Sequence, residues 1–95
     1  MSVLDELKPF YAEILDMMPD EFDSHQFILK LAQKHQPEYV TALYAYRNAK
    51  DKAPFREVHR QISDSSHEYA DAIKPRTSPD IFRVNQANSA WRKRR

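Results

Sequence analysis

The stretch FDSHQFILKLAQKH, residues 22–35, decides the fold, because it encodes both the start and the buried face of a helix. Asp23 reads as the N-cap: its carboxylate accepts a hydrogen bond from a first-turn N–H, and Gln26 completes a capping box by reaching back. Phe22 outside the cap and Phe27 inside it occupy the two positions of a hydrophobic staple. Ile28, Leu31 and Ala32 continue one apolar stripe at helical spacing. The helix stops near His35, since Gln36 precedes Pro37 and the residue before a proline is pushed out of the helical region.

Toward the N-terminus, Ser2 caps a first helix with Asp5 at its third position, and Leu4, Leu7, Tyr11, Ile14 and Met18 make an apolar seam. Pro9 lies inside the seam and kinks the helix or moves its true start to Lys8. The seam is too short for a sustained coiled coil, so it packs within the domain.

Toward the C-terminus, Pro37 opens a helix in which Tyr39, Val40, Leu43, Tyr44 and Arg47 keep the helical period, and Ala42, Ala45 and Ala49 favour it. Lys50, Asp51 and Lys52 end it. From Pro54, Phe55, Val58 and Ile62 continue the pattern, then Tyr69, Ala70 and Ile73. Ser63, Asp64, Ser65 and Ser66 between them favour caps and turns, so two short helices, 54–62 and 66–73, are expected rather than one. After a loop at Lys74, Pro75, Arg76 and Thr77, the run Ser78, Pro79, Asp80 signals another helix start. Ile81, Phe82 and Val84 dock either that short helix or, alternatively, an extended piece.

The chain has no glycine among its 95 residues. Tight hairpin turns need residues at positive φ, so an all-β reading is poor. The expectation is all-α: a single compact domain of four or five short helices around one core, with a basic C-terminal tail. Residues 1–73 form the helical core, and 74–95 dock a short helix or extended piece before fraying. The expected core is Leu7, Ile14, Phe27, Ile28, Leu31, Val40, Leu43, Phe55, Val58, Ile62, Tyr69 and Phe82. The absence of cysteine excludes disulfides and thiolate metal sites. The acidic N-terminal region is unlike a secretory signal and no apolar run spans a bilayer, so a cytoplasmic protein without membrane contact is expected.

Charge divides the chain. Residues 1–73 carry 8 basic and 13 acidic side chains, and residues 74–95 carry 7 basic and 1 acidic. Lys74, Arg76, Arg83, Trp91, Arg92, Lys93, Arg94 and Arg95 are therefore the candidate contacts for nucleic acid or another anion, the tryptophan as a stacking surface. Equally, the segment folds back onto the acidic first helix, or ends as a solvated tail with its tryptophan tucked onto the core.

A DNA-reading helix-turn-helix over 54–73 fits at Val58, Ile62, Tyr69 and Ala72. It fails at His59, where close helix approach wants a small residue, at Ser63, where the turn wants glycine, and at Asp64, where it wants an apolar plug. Glu68 and Asp71 on its second helix repel phosphate. His25, His35, His59 and His67 have no metal-ligand spacing, and no nucleophile elbow or phosphate-cradling loop exists without glycine. No catalytic, metal or cofactor site is expected. The leading expectation is a non-catalytic module that binds another protein or itself. The alternative is a nucleic-acid-binding accessory protein acting through its basic C-terminal segment.

Overall fold

The computed structural model describes residues 6–48 and 50–94. The expected Ser2 cap with Leu4 and Asp5, and likewise Ala49 and Arg95, lie outside the described residues. A 3-10 turn at Lys8–Phe10 leads into α1 (Tyr11–Met17). Pro9 thus stands in an opening turn, where its missing N–H leaves no hydrogen bond unmade. β1 (Glu21–Asp23) follows, then α2 (Ser24–Lys34) and α3 (Gln36–Ala45). A 3-10 turn at Lys50–Lys52 precedes α4 (Pro54–Ser65), and another at Ser66–Glu68 precedes β2 (Ala70–Pro79) and β3 (Asn85–Lys93).

The capping box of α2 is built as its sequence dictates. The Gln26 N–H donates to Asp23 Oδ1 at 2.8 Å and the Asp23 N–H to Gln26 Oε1 at 2.9 Å. The staple residues Phe22 and Phe27 are both buried.

The all-α, helical-bundle reading is overturned by a three-stranded antiparallel sheet of order β1-β3-β2. Glycine is dispensable because the hairpin closes over a longer loop, residues 80–84. Asp80 Oδ1 accepts the N–H groups of Phe82 at 2.8 Å and Val84 at 3.0 Å, and Arg83 takes the left-handed conformation at φ 66°. A carboxylate organises the loop in place of a flexible residue. The segment from 85 to 93, read as a tail, is the central strand: Phe22 and Ala72 flank Trp91 from opposite sides.

Residues 54–65 form one helix. Its polar end is tolerated because Ser65 and Ser66 donate to the Ile62 carbonyl at 2.9 and 3.0 Å, satisfying a helix-end acceptor. The second short helix expected over 66–73 is a 3-10 turn followed by strand, because pairing of Ala70 with Lys93 and Ala72 with Trp91 overrides local propensity. The short helix expected after Ser78 is the hairpin loop.

The core joins Leu7, Tyr11, Ile14, Phe22, Phe27, Ile28, Leu31, Val58, Ile62 and Trp91. Three expected members lie outside it: Val40 is 59% exposed, Phe55 38% and Phe82 58%. α3 is rotated so that Tyr39 and Ala42 face inward, which turns Val40 and Tyr44 to solvent. No helix among the described residues is long and apolar enough to cross a membrane.

Candidate functional site

The basic candidates are distributed along the length of the β2–β3 hairpin. Arg83 is at its loop, Lys74 and Arg76 are along β2, and Arg92, Lys93 and Arg94 are at its base. A ten-residue strand rises roughly 30 Å, so base and loop are far apart. Three of these six cations are engaged. Arg76 Nε donates to the buried Asp23 carboxylate at 2.9 Å and its Nη2 to Gln26 Oε1 at 2.6 Å, joining the α2 capping box. Arg92 pairs with Glu21 at 2.8 Å. Arg94 pairs with Asp71 at 3.1 Å and donates to the carbonyls of His67 and Glu68. Lys74 and Arg83 are exposed, and Lys93 is half-buried.

Trp91 is 1% exposed, its indole N–H donating to Ser24 Oγ at 2.9 Å and its ring system standing nearly at right angles to the His67 ring, with centroids 4.7 Å apart. Its faces are therefore closed to a stacking base. The fold-back reading of the basic segment has direct counterparts in Arg92–Glu21 and Arg76–Asp23, although those acids stand on β1 and not on the first helix.

The three residues at odds with a helix-turn-helix have other partners. His59 Nε2 is hydrogen-bonded to the Tyr39 hydroxyl, Ser63 Oγ to Ser24 Oγ at 2.7 Å, and Asp64 to Arg60 at 3.0 Å.

What the fold brings together is an open cleft of about 740 Å³ between α4, the start of α2 and the hairpin loop. Phe55, in the first turn of α4, meets Phe82 of the loop edge to face with ring centroids 5.0 Å apart. His59, one turn further along α4, lies against Phe55 at 5.9 Å. Ile28 and Pro54 add apolar surface, while Lys52, Arg56 and Arg60 line the cleft with Asp64 and Asp80.

His25 anchors the side formed by α2. Its backbone N–H donates to Asn88 Oδ1 at 3.0 Å, and its Nδ1–H donates to the Ser78 carbonyl at 3.0 Å, which fixes α2 on both hairpin strands. Asn88 Nδ2 in turn donates to Ser78 Oγ at 3.2 Å.

Burial, the neighbouring His25 and, in opposition, Asp80 act on His59, and the result is a pKa lowered to about 4. Its imidazole is neutral at pH 7. Burial pushes the Tyr39 hydroxyl up to about 12, so it keeps its proton, and it donates to Nε2 in the tautomer that carries the His59 proton on Nδ1. Asp80 is held below the usual carboxylate range, first by the Val84 N–H, then by that of Phe82 and the nearby histidines. Among the described residues, no three His, Cys, Asp or Glu side chains are grouped as metal ligands.

A second cleft, about 1030 Å³, lies between α2 and the hairpin and holds Arg76, Arg83, Leu29 and Ile81. It unites two of the basic candidates, but Arg76 is already committed to Asp23. The Phe55–Phe82 pair was not separable from core by sequence spacing. The one local signal is that Phe82 stands between Asp80 and Arg83, two polar residues of a loop.

Comparison of the chain with family models, with curated proteins and with solved structures finds no match in any of the three.

Proposed function

We propose that this protein is a non-catalytic interaction module that binds another protein through the aromatic cleft between α4 and the hairpin loop. The observation that carries this reading is the exposed Phe55–Phe82 pair, 38% and 58% accessible, in a chain whose other three phenylalanines are buried or half-buried. Aromatic side chains held rigidly at a surface supply large apolar area at small entropic cost, and they dominate binding hot spots. The clamp between the His25 N–H and Asn88, and the Asp80 turn, hold the rings in place before any partner arrives.

Addition of a partner strand along the β2 edge of the sheet is disfavoured. Pro75 and Pro79 on the outer strand β2 lack N–H donors, and Lys74 and Arg76 place charge along it. Direct nucleic-acid contact through the basic segment draws less support, because Arg76, Arg92 and Arg94 are paired with acids.

The test is quantitative affinity capture from the source cell with the wild-type protein and with a Phe55→Ser/Phe82→Ser variant, both verified as folded by NMR. The expected result is a protein partner retained by the wild type and lost by the variant. Partners kept equally by both would refute the reading.

A further inference from the structure

Resting on that reading, we propose that the cleft takes an acidic peptide segment of the partner, with an apolar side chain against Phe55 and Phe82 and a neighbouring carboxylate held by Lys52 and Arg56. The cleft's own acids are already occupied. Asp80 Oδ1 accepts two backbone N–H groups and its Oδ2 accepts the Gln86 amide at 3.2 Å, while Asp64 pairs with Arg60 at 3.0 Å. Its cations are not all so engaged. Lys52 has no ion pair among the described residues, and Arg56 meets Asp51 only at 3.5 Å, with both side chains mostly exposed. Such a loose exposed pair contributes little and yields readily to a better-placed carboxylate.

Two further features favour an anion. α4, twelve residues long from Pro54, has no side-chain cap at Ala53, so first-turn N–H groups beside Phe55 and Arg56 lack a capping acceptor, and the one first-turn acid, Glu57, is paired with Arg60. His59, neutral and engaged at Nε2 by Tyr39, carries its own proton on Nδ1 when the tyrosine donates, which adds a donor with no partner among the described residues. Donors thus exceed free acceptors around an apolar floor. A nucleic-acid duplex is a poorer occupant, because its bases are stacked inside and its phosphate surface leaves the exposed Phe55–Phe82 pair without an apolar partner.

The experiment titrates ¹⁵N-labelled full-length protein with three blocked tetrapeptides, acetyl-Glu-Phe-Leu-Glu-amide and its Gln-Phe-Leu-Gln and Lys-Phe-Leu-Lys counterparts, and with a 12-base-pair DNA duplex. The acidic peptide is expected to shift the amides of Phe55, Arg56, His59 and Phe82, and to bind at least about fivefold more tightly than the glutamine form, consistent with one charge-assisted contact. A Lys52→Ala/Arg56→Ala variant, checked for an unchanged spectrum elsewhere, should lose that preference while still binding the glutamine peptide. Equal or tighter binding of the glutamine or lysine peptide at the same amides would overturn the acidic partner and leave the protein-binding reading standing. No localised shift with any peptide would overturn the inference, and affinity capture then decides the broader reading separately. Tighter engagement of the same amides by the duplex would also overturn it, in favour of nucleic acid.

Discussion

The indole N–H of Trp91 donates to the hydroxyl of Ser24 at 2.9 Å, across 67 residues of chain. Ser24 is the first residue of α2 and also bonds Ser63 of α4, so one buried hydroxyl joins the central strand to two helices. Trp91→Ala should therefore cost about 3 to 5 kcal/mol, a large part of a typical domain's stability. Trp91→Phe keeps most of the ring and should cost less, about 1 to 3 kcal/mol, chiefly through the lost indole hydrogen bond to Ser24 and the smaller volume. Urea denaturation of the two variants gives both values. Removal of residues 91–95 should abolish cooperative folding.

Asp23 is 1% exposed, yet ionised. Burial alone would raise its pKa, but hydrogen bonds from the Gln26 N–H, Ser78 and Arg76, together with the Arg76 charge, hold it below its ordinary value. A folded-state pKa below the unfolded one adds stability above the unfolded pKa, and that stability is lost as the pH falls through the folded value. Stability should thus drop below about pH 4, the ordinary range for Asp. Asp23→Ala should remove that acid dependence and cost about 2 to 3 kcal/mol, more than a cap alone, because Arg76 loses its partner. A double-mutant cycle with Arg76→Ala isolates the coupling.

His59 produces a second acid-sensitive window. Its pKa of about 4 lies below the ordinary 6.5, so the unfolded chain takes up the proton first as the pH falls. Stability contributed by the neutral imidazole is complete above about pH 6.5 and is lost progressively toward pH 4, by an amount on the order of 3 kcal/mol. His25 on α2 deepens the shift, Asp80 on the hairpin opposes it, and Tyr39 on α3 supplies the hydrogen bond. His59→Gln should flatten the denaturation midpoint between pH 6.5 and 4, as followed by guanidinium titrations at stepped pH.

The orientation of α3 is tested at adjacent faces. Val40→Ala should change stability by no more than about 0.5 kcal/mol, as expected at an exposed site. Ala42→Leu, by contrast, should overpack the core and cost about 1 to 3 kcal/mol. Equal effects in thermal melts would contradict the rotation that exposes Val40 and Tyr44.

Arg83 holds the left-handed conformation without being glycine. Arg83→Gly should stabilise the hairpin by up to about 1 kcal/mol by relieving a clash of side chain and carbonyl. Asp80→Ala, which strips acceptors from the Phe82 and Val84 N–H groups, should destabilise the loop and broaden the Phe82 resonances in NMR spectra.

Local chemistry determined α2 in full from sequence: cap, staple and buried stripe all depend on neighbours within one or two turns. The same holds for Val58 and Ile62 of α4 and for the packing of Leu7, Ile14 and Leu31, where apolar spacing alone selects the inward face. The strands were not legible. Residues 70–79 and 85–93 contain little of the apolar alternation that marks a half-buried strand, and their identity rests on pairing with each other and with β1. Only tertiary structure could decide that Trp91 is central to the core, since its partners Ser24 and Phe22 lie about 70 positions earlier. The same applies to Phe55 and Phe82. Both are large and apolar and read as core by composition, but the hairpin loop meets α4 at the surface, and its rings are left open to solvent at the cleft. Local spacing sets which residues share a face, whereas the pairing of distant strands decides whether that face is covered.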